Sequence, residues 1–409
     1  MSTLQEISSS TAFTTAHFWE MAQAKGLPSA LWRLPNGQTK HLIVDLSGSP
    51  SVISVDLEET PPGFALSPFL NPDNNETLFI KADIHVQFSI ENQLLKEEEI
   101  GFEKRVQIDD FLNTPATDSS FQPEQTAKSK QLHPSSDEKS HYTAIVEEAV
   151  KRIHQGEFQK VVLSRTKQIP LPTDFDINQV FDQLCEAYPN AFVSAVWLPE
   201  QGEIWLGATP ETLVSVDSNG MFRTISLAGT QSAYREDRTL LPLSEARWTQ
   251  KEIEEQALVS RYIVSCFKRI RLREYIENGP KTARAGNLIH LRTDFLVDTK
   301  AVNFPQLGTA MLQLLHPTSA VCGTPKQPAL EFILENENYH RDLYSGFLGP
   351  VNIEFETHLF VNLRTMKVGG DNATLFAGAG ITEDSIPEKE WNETEMKCQT
   401  LLSVILPSG

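Results

Sequence analysis

The chain is poor in cysteine: its four, Cys185, Cys266, Cys322 and Cys398, stand far apart with no CxxC pair. That spacing argues against a zinc cluster and against a dense disulfide framework, and reduced thiols are the expectation. Long apolar runs are also missing. No stretch approaches the roughly 18 apolar residues that span a bilayer, and the opening MSTLQEISSS has neither a basic segment nor an apolar core. A cytoplasmic protein with no membrane partner is expected. Positive charge is scarce, with Lys plus Arg at 35 against Asp plus Glu at 54 and a formal net charge of −19. Such a surface repels phosphate backbones, which excludes nucleic acid as a partner. Neither GxGxxG nor GxxxxGK[ST] occurs, so nucleotide binding has no motif behind it.

What is there is an ordinary globular composition. The 409 residues are 40% hydrophobic, enough to bury a large core in one interleaved domain or two ordinary ones. Residues 1–113 mix a short helix around Ala16 to Ala24 with strand-like runs at Leu31 to Leu34, His41 to Leu46 and Leu78 to Phe88. Residues 114–140 are rich in serine and proline and read as an exposed linker. Ser140 is a plausible N-cap for a helix with Tyr142, Ile145, Ala149, Val150 and Ile153 on its apolar face, ended by Gly156. Thr212 to Ser226 reads as a hairpin turning at Asp217-Ser218-Asn219-Gly220. Ser244 to Leu272 has helical spacing through Ile253, Ala257, Val264 and Phe267. The layout is mixed α and β.

The residues that can carry chemistry all follow the linker. In EFQKVVLSR, a period of two puts Lys160 on the face of Phe158 and Val162, toward the interior. Burial disfavours the charged form of a lysine and suits it to accept a proton, although an exposed lysine on an edge strand has the same pattern. Glu211 in GATPE follows a turn just before the hairpin, where it is either a proton donor in a cleft or simply solvated. Glu252, Glu254 and Glu255 lie on the long helix. Glu390, Glu393 and Lys397 recur at i, i+3 and i+7 on one face of a C-terminal helix. Hard carboxylate oxygens from two helices suit Mg²⁺, the alternative being two solvated acidic faces. In FAGAGIT, Gly378 and Gly380 flank Ala379, so the backbone there can approach an anion, or the segment is a plain glycine turn.

Taken as an ordered set, FQKVVLSR, GATPE, SLAGT, EEQALV, LLHPTSAVCGTP, NLRT, AGAGIT and EWNETEMK resemble the chorismate-utilising family over residues 141–405. Residues 1–113 match only loosely, around GFALSPF. The resemblance implies an α/β (α+β) fold in which a large two-layer core of antiparallel sheets is wrapped by helices around a deep cleft. It implies a Mg²⁺-dependent isomerase acting on chorismate, adding water at ring C2 with loss of the C4 hydroxyl, for menaquinone or siderophore biosynthesis. Lys160 would be the base and Glu211 the acid. Glu255 and Glu393 would hold the metal, with Glu390 beside them. Substrate contacts would come from Thr230, His316, Arg341, Tyr344, Arg364, Gly378, Ala379, Gly380 and Lys397.

Within the family, ammonia-using branches lack the lysine at position 160, and the aminodeoxychorismate branch has a lysine where this chain has Ala228. Both features point to the water-using isochorismate synthases and away from a glutamine amidotransferase partner. Salicylate synthase, which adds pyruvate elimination, and a non-catalytic chorismate-binding regulator are the alternatives. The chain departs from the family pattern at Gln256, where many relatives have histidine, at Cys322 in place of a common glycine, and in the run GFLGPVN.

Overall fold

The structure is a computed structural model that describes residues 14–71, 75–95, 106, 108, 110, 111, 137–235, 237, 239–285 and 288–406. Two large sheets dominate it, one of ten strands and one of nine, and every strand pairing is antiparallel. Near one edge of the ten-stranded sheet, Lys160–Pro170 lies beside Asn372–Ile381. Toward the other edge lie Ser29–Arg33 and Thr39–Val44. The nine-stranded sheet runs from Ile276–Ala285 through Leu288–Asp298 and Met221–Ser232 to the early strands Gly63–Ser67, Thr77–Lys81 and Ser51–Ile53. Strands from before residue 95 therefore pair with strands from after residue 190 in both sheets, Ser29–Arg33 with Phe192–Leu198 and Gly63–Ser67 with Phe347–Val351. The fold is interleaved.

Both faces of the ten-stranded sheet are covered, which explains why its strands read as continuous apolar runs. Leu31 and Leu42 point outward against Phe18 and Trp19 of the helix Thr15–Ala24 and against Phe181 and Leu184 of the helix Ile177–Ala187. Their neighbours Ala30, Trp32 and Ile43 point inward, into a seam between the two sheets. The seam is aromatic: Phe192 stacks on Phe360 of the opposite sheet with centroids 4.1 Å apart, and Trp32 meets Phe64 at 5.4 Å. The nine-stranded sheet is covered by Ile263 and Phe267 of the helix Gln250–Arg269, packed on Phe222 and Phe295.

Several expected elements are present with altered bounds. The run from Leu78 to Phe88 is two strands, Thr77–Lys81 and Ile84–Ser89, because Ala82 and Asp83 turn the chain between them. The helix assigned to start after Ser140 begins at Asp137, so Ser140 lies inside it, and it ends at His154, just before Gly156 with φ +81°. Residues 114–136 of the expected linker lie outside the described residues. The hairpin at 217–220 is as expected. The face that the helix Gln250–Arg269 buries runs through Gln256, Val259, Ile263, Cys266 and Phe267, while Ile253 is 47% exposed. One buried position on that face holds a glutamine, which hydrophobic periodicity cannot see.

Phe192 ties the two sheets together, so Phe192→Ala should destabilise the whole fold by about 3–5 kcal/mol. Urea unfolding followed by far-UV circular dichroism tests this. A loss below about 1 kcal/mol would mean that the seam is not what joins the sheets.

Candidate active site

Most of the residues singled out from the sequence converge on one cleft. The cleft there is walled by Val162, by Gly378 and Gly380 of the neighbouring strand, and by Leu227 to Thr230 of the opposite sheet. Glu211 enters from the short link between Glu203–Thr209 and Thr212–Val216, and Glu255 from the helix Gln250–Arg269. Glu393 and Lys397 come from the helix Pro387–Ile405, and Arg364 from the turn before Thr365–Gly369.

Lys160 begins its strand on the inward face, and only 1% of it is exposed. Its Nζ lies 2.9 Å from Glu255 Oε1. That pair explains a glycine. A Cβ on Gly380 would stand 2.3 Å from Glu255 Oε1 and 2.9 Å from Lys160 Cε. On Gly378 it would meet Leu163 O at 2.9 Å and the Tyr344 hydroxyl at 3.1 Å. FAGAGIT is thus strand rather than turn, and its glycines are there for close approach. Ala379 alternates to the other side, into the core with Val161 and Leu163, and can offer only backbone to the cleft.

The two glutamates nearest the lysine are in opposite electrostatic situations. Glu211 is fully enclosed, and burial pushes its carboxyl up to about 7 although Lys160, Arg364 and Lys397 pull the other way. Burial also pushes Glu255 up, but Lys160 and Lys251 outweigh it and hold the carboxyl below its usual range. Glu390 is 2% exposed and does not reach the cleft; its Oε1 pairs with Lys251 Nζ at 2.5 Å. Burial raises Glu390 against the pull of Lys251, and Lys251 in turn is held above its usual range by Glu390, Glu255 and Glu393 despite its own burial. Glu393 pairs with Lys397 at 2.7 Å, and Lys397 also donates to Gly378 O at 2.7 Å. Of the other acids on the long helix, Glu252 caps its N-terminus and Glu254 accepts from Gln250, both outside the cleft.

Arg364 is enclosed in the cleft wall with a strained φ of +48°, and burial lowers its guanidinium. It has no carboxylate partner among the described residues. A half-buried guanidinium without a carboxylate partner beside a cleft is a ready anchor for an anion. Tyr344 and Thr230 also line the cleft. His316 and Arg341 do not. His316 Nε2 bonds Pro68 O at 3.0 Å and its ring stands edge-on to Phe347. Arg341 is saturated by Glu337, Val321 O and Val162 O, so it braces the wall from behind rather than meeting a ligand.

Two polar residues escaped the sequence reading. His290 lines the cleft, and its Nδ1 donates to Gly229 O at 2.8 Å, which leaves Nε2 as a neutral acceptor with no partner among the described residues. Burial, reinforced by Arg364, pushes it down to about 3. A lone polar residue in the apolar run NLIHL was the available signal. Lys251, within reach of three carboxylates, had only its i, i+4 spacing to Glu255 to recommend it. The family departure at Gln256 falls behind the cleft, where the side chain donates to Thr293 Oγ1 and Ser226 O. Cys322 is buried, and its carbonyl accepts from Val162 N.

Comparison with known proteins places the chain in a family. The sequence pattern of the family described as chorismate binding enzyme matches residues 75–406. The isochorismate synthase EntC of Escherichia coli K12 is 31% identical over 270 residues, 65% of this chain and 67% of that protein. The vibriobactin-specific isochorismate synthase of Vibrio cholerae is 28% identical over 266 residues, 64% of this chain and 66% of that protein, so these alignments span about two thirds of each relative. Among solved structures, the menaquinone-specific isochorismate synthase MenF of Escherichia coli superposes with TM-score 0.70 at 23% identity, over 97% of this chain and 92% of that one. The expected two-layer fold is the one observed.

Glu211 gives a test independent of any reaction. Its carboxyl rises from the usual 4.5 to about 7 on folding, so between those values the folded state holds a proton that the unfolded state has lost. Stability falls as pH rises through that window, and the full penalty is present above it. Glu211→Gln removes the penalty and should raise the melting temperature over wild type far more at pH 8 than at pH 5, by up to a few kcal/mol of stability. A difference that does not change with pH would show that Glu211 is ionised in the folded protein.

Proposed function

The chain belongs to the chorismate-binding enzyme family, and from that premise we propose that it is an isochorismate synthase, an isomerase that transfers hydroxylation of the chorismate ring from C4 to C2. The observation that carries this reading is Glu211, a buried carboxyl in the cleft that burial pushes up to about 7, near an inward-facing lysine. Removing a ring hydroxyl needs a proton on the leaving oxygen, and adding water needs a base. Glu211 supplies the first and Lys160 the second. The C2–O bond forms as Lys160, once it has given up its own proton, takes one from water; the C4–O bond breaks as Glu211 protonates the departing hydroxyl, and one water enters for each that leaves. Proton exchange with solvent then returns both side chains to their starting forms. Alanine at 228 leaves no second amine to act as nucleophile there.

The substrate is a small dianion, and the cationic groups of the cleft suit its carboxylates. Arg364, unpaired by acid, and Lys397 are the anchors, with Tyr344, Thr230 and the Gly378 and Gly380 backbone beside them. Among the described residues no group of three or more His, Cys, Asp or Glu forms a metal cage. Mg²⁺ does not require one, since it binds through one or two carboxylates and fills its shell with water and substrate oxygens. Glu255 and Glu393, facing one cleft from two helices, fit that demand, with Glu390 behind them. When bound, Mg²⁺ would supply the charge that neutralises the ring carboxylate. No helix among the described residues is long and apolar enough to cross a membrane, and a cytoplasmic enzyme working without an amidotransferase is the consistent setting. Relatives named for vibriobactin and for menaquinone support a place in siderophore or menaquinone synthesis.

Lys160→Gln keeps a polar side chain of similar reach but offers no base, so isochorismate formation should fall by roughly 10²-fold or more while chorismate still binds. Chromatography of the products of wild type and variant, with chorismate and Mg²⁺ and then with excess chelator, is the measurement. An amino product from the wild type in the presence of ammonium, or full turnover by the variant, would refute the assignment.

A further inference from the structure

We propose that Lys251 keeps the affinity of the cleft for divalent cations low, acting as a positioned counter-charge to the metal-binding carboxylates. The inference rests on the reading of Glu255 and Glu393 as metal ligands. Each of the three carboxylates there is matched by one lysine: Glu255 by Lys160 at 2.9 Å, Glu390 by Lys251 at 2.5 Å and Glu393 by Lys397 at 2.7 Å. Two of those lysines line or abut the cleft and have roles in the reaction. Lys251 does not line the cleft, and neither does its partner.

Its place is nonetheless particular. Lys251 is four residues before Glu255 on one helix, and Glu390 is three residues before Glu393 on the other. Their ion pair therefore ties the two helices together one turn behind the two ligands. Glu390 is 2% exposed and the Lys251 side chain 23%, so water screens this charge weakly and it acts on a cation at the ligands with more force than a surface lysine would. The two roles open to such a residue predict opposite outcomes. A mere brace, once removed, lets Glu255 and Glu393 drift apart and weakens metal binding. A counter-charge, once removed, strengthens it.

Calorimetric titration of Mg²⁺ into the protein without chorismate separates them. Lys251→Gln should bind Mg²⁺ roughly tenfold more tightly than wild type, and Lys251→Arg, which keeps the charge, should behave like wild type. Glu390→Gln, which leaves the lysine unmatched, should bind more weakly by a similar factor, and the Lys251→Gln/Glu390→Gln double variant should return close to wild type. Glu390→Gln approaches the inference from the opposite side, so it does not depend on how well Lys251→Gln folds, and circular dichroism checks each variant. Equal or weaker binding by folded Lys251→Gln, or unchanged binding by Glu390→Gln, overturns the proposal. Absence of Mg²⁺ binding at millimolar concentration in every variant, Lys251→Gln included, overturns it by removing the metal reading itself, a result distinct from wild-type binding that Lys251 fails to tune.

Discussion

A lysine ammonium can leave water only if something replaces the water's charge stabilisation, and at Lys160 that something is Glu255. The pair is the point from which the rest of the cleft is arranged. It requires the strand Lys160–Pro170 to face the N-terminal end of the helix Gln250–Arg269. It requires the next strand to have no side chain at position 380, where a Cβ would occupy the space of both partners. It also commits a carboxylate to a cation inside the cleft before any ligand arrives, and the neighbouring carboxylates follow the same rule, Glu390 with Lys251 and Glu393 with Lys397. An enclosed site with this many acids would otherwise repel itself apart. Matched charges make it stable when empty.

The sheets determine where this arrangement can exist. The aromatic seam of Trp32, Phe64, Phe192 and Phe360 holds the two layers face to face in the half of the sandwich built largely from early strands. The strands that carry the chemistry lie toward the other half, where the strand Asn372–Ile381 continues past its pairing with Thr365–Gly369 and has only Lys160–Pro170 beside it from residue 376 onward. An edge left unpaired there gives backbone and glycine space to the cleft instead of to a further strand. Arg341 and Glu337, buried against each other, hold Val162 O and Val321 O on the far side of the wall. Chemistry and support are thus divided between the two ends and the two sides of one layer.

Much of this was legible in the sequence because it is local. The hairpin at 217–220 and the inward face of Lys160 follow from turn chemistry and a period of two, and the acidic face of the C-terminal helix follows from i, i+3 and i+7 spacing. The burial of Glu211 was not legible. Its link is two residues between strands, a place where glutamates are usually wet, and only the closing of Leu227 to Thr230 and Arg364 around it removes the water. The same reason hid His290 and Lys251, whose partners lie 61 and 139 residues away. The misplacement of His316 and Arg341 has a related cause. Both were carried over with the family resemblance, which does not say which side of a wall a side chain takes, and both bond carbonyls behind it.

Glu211 and Glu255 show how one cleft assigns two identical side chains to different work. Glu211 is buried, Glu255 keeps only 15% of its side chain exposed, and both feel Lys160, so the nearest cation alone does not make the difference. It comes from contact. Glu255 bonds the ammonium directly and has Lys251 one helical turn away, and these outweigh its desolvation. Glu211 feels the same charges only at a distance, and desolvation prevails. Environments that push two carboxyls apart in this way leave one protonated and the other ionised at the same pH. Moving Lys160 toward Glu211 would erase the distinction, because a direct ion pair would ionise Glu211 and release Glu255. The glycine at 380, by admitting the Lys160–Glu255 contact, keeps the lysine away from Glu211.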